Sequence, residues 1–143
     1  MQITFDFPHV FYPGSSPEED AEVLRSLLDM LIRVNYQYLK RHPSTPPLYR
    51  AGVTYRRTEV WDSIPALYAR GYGDCKSLSA ALIAELAIKK VEAKPTFRYN
   101  PRVVGKPSPK DYHILCQLYA GWEDPSRKLG MGDNEAAYFT KTI

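Results

Sequence analysis

A cysteine stands where the sequence predicts the start of a buried helix. The run from Gly71 to Lys76, Gly-Tyr-Gly-Asp-Cys-Lys, leads from turn-forming glycines into Leu78–Ile88, which is apolar on nearly every side. At a helix N-terminus, unpaired backbone amides and the positive end of the helix dipole favour the thiolate, the reactive form of cysteine. The positive charge of Lys76 acts in the same direction. Cys75 is therefore a candidate nucleophile, and the alternative interpretation is a small buried core residue.

A thiol nucleophile needs a base, and the chain offers only His9, His42 and His113. His42 stands beside Pro43 at the predicted end of a helix. His113 stands near the start of a predicted strand, Tyr112–Tyr119. We therefore select His113 as the candidate base. The alternative is a half-exposed strand residue whose ring bonds a local carbonyl.

The predicted strand gives His113 a face and a neighbouring acid. Alternation places His113 on one face with Leu115 and Gln117, and packing of Leu115 on the central helix would bring His113 towards the start of that helix. Asp124 follows in Gly121–Ser126, on the next strand of the same hairpin. A carboxylate there can hold the imidazole in one tautomer and stabilise the imidazolium.

The reach of Asp124 to His113 depends on the hairpin turn. A two-residue loop at Ala120-Gly121 pairs Gln117 with Asp124, which leaves the acid about 13 Å along the strand from the position of His113. A four-residue loop instead pairs Gln117 with Trp122, so that His113 and Asp124 become diagonal neighbours. The catalytic assignment predicts this wider turn or a bulge. Otherwise Asp124 is a turn residue before a proline, and the imidazole is oriented by Asp111, Asp133 or Asn134.

Acyl chemistry also requires donors for an oxyanion. The backbone amide of Cys75 is the natural first donor, because it lies at the predicted helix start. The sequence leaves the second donor open among Gln37, Trp61 and Tyr72. The two tryptophans are otherwise expected to pack in the core or to line a cleft.

Helices are predicted to carry and cover these residues. Ser16–Glu19 reads as a capping box, which starts a helix with one apolar face that runs to His42. Trp61–Arg70 is a second, short helix that ends at Gly71 and delivers the chain to the cysteine. Asp74 is expected to cap the central helix with its side chain, away from the thiol.

The predicted strands complete an α+β fold. Thr96–Tyr99 and Tyr112–Tyr119 flank a loop rich in proline and lysine, and the alternation over Ile3–Phe7 suggests a short strand before the first helix. We expect residues 1–143 to form a single domain, in which the central helix packs on a small antiparallel sheet.

Composition argues against a disulfide-rich, zinc-binding, membrane-spanning or nucleic-acid-binding protein. The formal charge of +3 comes from scattered basic residues, and two cysteines are too few for a disulfide framework or a zinc site. The chain shows neither a leader-like start nor an apolar run of about 20 residues, so we expect a soluble, cytoplasmic protein. Aromatic and basic residues interleave in three places: Tyr49-Arg50, Tyr55-Arg56-Arg57 and Arg98-Tyr99. Such segments occur on surfaces that bind single-stranded nucleic acid, but the modest net charge of this chain argues against nucleic acid as a partner.

Three ordered motifs resemble the transglutaminase-like branch of the papain-like cysteine enzymes. A Gly-Asp-Cys turn, a histidine near the start of a strand and an Asp-Pro-Ser after the next strand occur in that order, at Gly73–Cys75, His113 and Asp124–Ser126. The resemblance implies a papain-like core and a catalytic triad of Cys75, His113 and Asp124. The chain departs from many members at Ser77, where they place an acid.

The resemblance implies acyl transfer at an amide or peptide carbonyl, as in a protease, an amidase or a transglutaminase, without a metal or organic cofactor. Its partner would be a peptide or protein substrate. The run Glu123–Met131 is similar to small members carried by phages and prophages, which suggests a host-cytoplasm or virion location. The alternative is a non-catalytic binding or assembly protein on the same fold, with phage structural proteins as partners.

Overall fold

The computed structural model describes residues 2–4, 15–101 and 112–143. Its elements in chain order are α1 (Pro17–Arg41), a 3-10 turn (Leu48–Arg50), β1 (Thr54–Tyr55), α2 (Ile64–Arg70), β2 (Tyr72–Gly73), α3 (Cys75–Ile88), β3 (Ala93–Tyr99), β4 (Tyr112–Leu118), β5 (Gly121–Glu123), α4 (Pro125–Lys128), α5 (Asp133–Ala137) and β6 (Lys141–Thr142). Over these residues, no helix is both long and apolar enough to cross a membrane. The predicted strand Ile3–Phe7 lies mostly outside the described residues.

The predicted capping box starts α1. The Ser16 hydroxyl accepts a hydrogen bond from the Glu19 amide at 3.1 Å, which satisfies one of the amides that a helix start leaves unpaired. The helix ends at Arg41, where the amide of His42 bonds back to Tyr38 and the two rings stack. The sequence prediction of this helix is confirmed.

Helix α3 is the centre of the fold. Its residues from Ser77 to Ala84 are all buried, as the apolar run predicts for a helix without a solvent face. The prediction is wrong for the last turn, where Ala87 and Ile88 are exposed. One core cluster joins α3 through Ala80 to Leu24 and Leu28 of α1 and to Phe97 of β3. A second cluster joins its other side to α2 and to Cys116 of β4. Contacts on several sides therefore fix the position of α3 and of its first residue, Cys75.

The main sheet has the order β5-β4-β3-β6, and its strand pairs are antiparallel. Helices and this sheet together make the predicted α+β architecture. A separate parallel pair, β1 and β2, aligns Thr54 with Tyr72 and Tyr55 with Gly73. Because β2 ends two residues before Cys75, this small ladder fixes the chain directly upstream of the helix start.

Gly73 makes a tight contact that gives the first prediction. A Cβ atom added at Gly73 would lie 2.6 Å from Cδ1 of Leu67, a side chain that is itself fully buried. Gly73→Ala is therefore expected to lower the free energy of unfolding by about 1–3 kcal/mol, as overpacking does. Urea denaturation measures the loss. Gly132→Ala is the control, since nothing lies within 4 Å of the added atom, and equal losses in the two variants would contradict the packing argument.

Candidate active site

Cys75 opens α3 as its first residue and is partly exposed, whereas Cys116 is buried. The backbone amides of the first helical turn have no acceptor within the helix, so they face the region of the thiol with their positive ends. The Cys75 thiol lies 3.9 Å from the carbonyl oxygen of Tyr112, at the start of β4. The predicted nucleophile and the predicted strand of the base therefore meet.

The acid beside the thiol does not behave as predicted. Asp74 occupies the N-cap position, but its side chain makes no capping hydrogen bond, so the sequence prediction is wrong. Its carboxylate instead pairs with the ammonium of Lys76 and accepts a bond from the Thr58 amide. Lys76 also donates to the Thr58 carbonyl. The carboxylate of Asp74 is therefore engaged by Lys76 and Thr58 and does not bond the helix amides.

His113 and Asp124 are in direct contact. The Nε2 atom of His113 lies 2.8 Å from Oδ2 of Asp124. An ionised carboxylate only accepts hydrogen bonds, so Nε2 carries the proton and the ring is held in one orientation. The other carboxylate oxygen, Oδ1, accepts from the amides of Ser126 and Arg127 at the start of α4. The sequence left two roles for Asp124 as alternatives, orienting the imidazole or serving as a turn residue. The structure shows both contacts at once.

The hairpin register explains this contact. Gln117 pairs with Trp122 and Leu118 with Gly121, which is the register that the catalytic assignment requires. The predicted wider turn is wrong, because a two-residue loop at Tyr119-Ala120 gives this register. It makes His113 and Asp124 diagonal neighbours across the β4–β5 ladder. Of the other candidate orienting residues, Asp133 instead pairs with Arg127, and Asp111 lies outside the described residues.

One expectation about the strand faces is wrong. Ile114 and Cys116, rather than Leu115, belong to the clusters that pack on α3. His113 and Leu115 lie on the opposite face and line a cavity there. Ile114 and Cys116 therefore mark the face of β4 that points to α3, since side chains alternate between the two faces of a strand. His113 nevertheless approaches Cys75, because it follows Tyr112 at the start of the strand, and the Tyr112 carbonyl contacts the thiol.

The environment of His113 favours its charged form. Burial lowers the pKa of the ring, but hydrogen bonds to Asp124 and to the side chain of Cys75, together with their negative charges, outweigh it and raise the pKa to about 9. The side chain is 3% exposed. Phe139 covers it with ring centroids 5.4 Å apart. The imidazole is thus shielded from water on one side and engaged by both predicted partners.

Tyr55 lies close enough to Cys75 for their charges to interact, and no sequence pattern indicated this. Its hydroxyl donates a 2.6 Å hydrogen bond to Glu135 of α5. Burial, this bond and the charges of Glu135 and Cys75 raise the pKa of the phenol. The bond links the strand upstream of the thiol to the helix that precedes Phe139. No local pattern signals it, since the two residues are 80 positions apart.

The three candidates for a second oxyanion donor are now distinguished. Trp61 packs against the same cluster as Cys75 and Tyr112, whereas Gln37 is exposed on α1 and the Tyr72 ring is covered by the guanidinium groups of two arginines. Trp61 is therefore the candidate that shares a core cluster with the thiol.

Ser77 holds the segment around Trp61. Its buried hydroxyl accepts a hydrogen bond from the Asp62 amide at 2.9 Å and lies 3.5 Å from the carbonyl oxygen of Val60. Ser77 thus provides a buried polar contact two residues after the thiol.

The raised pKa of His113 predicts a pH-dependent stability. A protonated group with a raised pKa stabilises the fold fully below its ordinary value of 6.5 and loses this contribution as pH rises through about 9. The free energy of unfolding should therefore fall by up to about 3 kcal/mol over that range. Urea denaturation at both ends of the range measures it. His113→Gln should flatten this dependence, and an unchanged fall in that variant would contradict the assignment.

The comparisons with known proteins do not place the chain in a family. No family model, no curated protein and no solved structure matches it.

Proposed function

We propose that the protein is a cysteine-dependent acyl-transfer enzyme with a papain-like, transglutaminase-like core. The observation that carries the proposal is the chain of contacts from Asp124 through His113 to Cys75, with the thiol at the start of a buried helix. A nucleophile, a base and a group that orients the base are the three parts of such a site. Cys75 begins α3, His113 belongs to β4 and Asp124 caps the start of α4.

The reaction follows from the roles of these atoms. Asp124 engages Nε2 of His113, so Nδ1 is the nitrogen that takes the proton of the Cys75 thiol. The sulfur attacks an amide carbonyl, and the imidazolium then gives its proton to the nitrogen as the C–N bond breaks. An acyl thioester remains on Cys75, and water or an amine resolves it with His113 again as base.

Negative charge on the carbonyl oxygen needs fixed donors during the attack. The backbone amide of Cys75 supplies the first, because it lies at the helix start and is free of an intrahelical acceptor. We assign the indole of Trp61 as the second donor, since it packs against the cluster that the thiol also contacts. Loss of one such donor typically lowers kcat by about 10²- to 10³-fold.

Covalent trapping tests the proposal. The protein is incubated with a peptidyl vinyl sulfone, which alkylates a thiolate held beside an imidazolium. Intact-mass spectrometry should show a single adduct, and peptide mapping should place it on Cys75. The adduct should be absent from Cys75→Ala and strongly reduced in His113→Gln. Equal labelling of wild-type protein and His113→Gln would contradict the assigned base.

The acyl acceptor is decided by a second measurement. Wild-type protein is acylated with an activated ester and then given a primary amine such as glycinamide over a range of concentrations. A product ratio that favours the amide over hydrolysis identifies a transferase, whereas an unchanged yield of acid identifies a hydrolase. Both outcomes keep the thioester step, and neither product would appear from Cys75→Ala.

A non-catalytic binding or assembly role is the second candidate. The observations that favour it are the deep burial of His113 and the exposure of two aromatic side chains on the β4–β5 hairpin, Tyr119 and Trp122. Exposed aromatic groups are enriched at protein interfaces. This role predicts that Cys75→Ala retains full function in the particle or complex that contains the protein.

A further inference from the structure

A cavity of about 520 Å³ lies on the face of the sheet that points away from α3. His113 and Leu115 of β4 form its floor with Arg98, which is directly opposite His113 in the β3–β4 ladder. Trp122 and Phe139 contribute aromatic walls. The volume lies within the range of about 300–1,000 Å³ that is usual for small-molecule sites.

The cavity presents an aromatic surface that the core does not use. Trp122 is 56% exposed although it lines the cavity, while Phe139 and Leu115 beside it are buried. A half-exposed indole next to buried apolar side chains leaves room for a flat or branched apolar group to pack. The walls therefore favour a ligand with an aromatic or branched aliphatic part.

The charges around the cavity favour an anion. Arg98 donates through Nε to the Thr142 hydroxyl, and within residues 15–101 and 112–143 no carboxylate forms an ion pair with it. Arg127 is different, since its guanidinium already binds Asp133. With His113 in its charged form, the lining has three cations and only two carboxylates, Asp124 and Asp133. The guanidinium of Arg98 is thus the group with capacity for a carboxylate.

We propose that this cavity binds an apolar carboxylate, with the apolar part between Trp122 and Phe139 and the carboxylate on Arg98. The chemistry is that of an amino acid or peptide C-terminus with an aromatic or branched side chain. Cys75 does not line the cavity, although His113 and Asp124 do, and binding is measured without the acyl-transfer reaction. A ligand bound here contacts the Asp124 side of the imidazole, away from the thiol.

The test uses the indole signals of the two tryptophans in ¹⁵N-labelled protein, assigned by Trp122→Phe. N-acetylphenylalanine is titrated in, with N-acetylphenylalaninamide as the probe that lacks the carboxylate. We expect a saturable shift of the Trp122 signal, no shift of the Trp61 signal and binding at least about tenfold weaker for the amide. No saturable shift, or equal affinity for the acid and the amide, overturns the proposal.

Matched variants locate the carboxylate. Arg98→Gln is expected to reduce the affinity for the acid to that for the amide, while Arg127→Gln leaves the preference for the acid intact. The spectrum of each variant also reports whether the fold is retained. The reverse pattern, with Arg127→Gln abolishing the preference, overturns the assignment of Arg98. A tripeptide that ends in phenylalanine separates the sources: tighter binding than the amino acid identifies a peptide terminus, and equal binding a small molecule.

Discussion

Cys75→Ala is expected to lower the rate of p-nitrophenyl acetate hydrolysis by at least about 10³-fold. The physical reason is that no other nucleophile in the described structure lies beside His113 at a helix start. The measurement is the release of nitrophenol, corrected for the spontaneous reaction. Cys75→Ser is expected to lose nearly as much, because a hydroxyl in the same place is far less acidic than a thiol.

The second cysteine gives the matched control. Cys116 is fully buried in the core, and burial raises the pKa of its thiol to about 12. Cys116→Ala should therefore lower stability by leaving a small cavity, yet retain the hydrolysis rate of the wild type. A loss of activity in this variant at a temperature where it remains folded would contradict the assignment of Cys75 as the sole nucleophile.

Asp124→Asn is expected to lower kcat/KM by about 10²- to 10⁴-fold and to change its dependence on pH. In the wild type, activity that needs the imidazolium falls as pH rises through about 9, the pKa of His113. The asparagine removes the charge that raises this pKa while burial continues to lower it, so the alkaline limb should move to lower pH. Rates measured across the pH range give both effects.

Asparagine is chosen because it keeps an oxygen for the amides of Ser126 and Arg127, which preserves the start of α4. Asp133→Asn is the control, as this carboxylate is 89% exposed and pairs with Arg127 outside the triad. It should leave the rate and the alkaline limb unchanged. If the two variants behaved alike, Asp124 would have no particular role in orienting the imidazole.

Local patterns predicted the parts of the fold that depend on local physics. The Ser16 cap, the end of α1 at His42 and the all-round burial of Ser77–Ala84 in α3 each follow from the spacing of a few neighbouring residues. The order of the three motifs likewise indicated which cysteine, histidine and aspartate to consider. These features need no knowledge of what lies across the core.

The features that sequence could not settle depend on contacts between distant elements. The hairpin register was open between two loops, and the structure forms neither of them, since a two-residue loop at Tyr119-Ala120 gives the register expected of the wider one. Asn35 interrupts the apolar face of α1, yet it is fully buried because its side-chain oxygen accepts from the Ile64 amide at the start of α2. A polar residue in a helix gives no signal of a partner 29 positions away.

The most direct measurement is the rate at which iodoacetamide alkylates Cys75 at about pH 6, in a Cys116→Ala background that leaves one thiol. We expect alkylation at least about tenfold faster than that of N-acetylcysteine, because an imidazolium and a helix start both favour the reactive thiolate. His113→Gln should remove this advantage. A rate no faster than that of the free thiol, and unchanged by His113→Gln, would contradict the proposed enzyme.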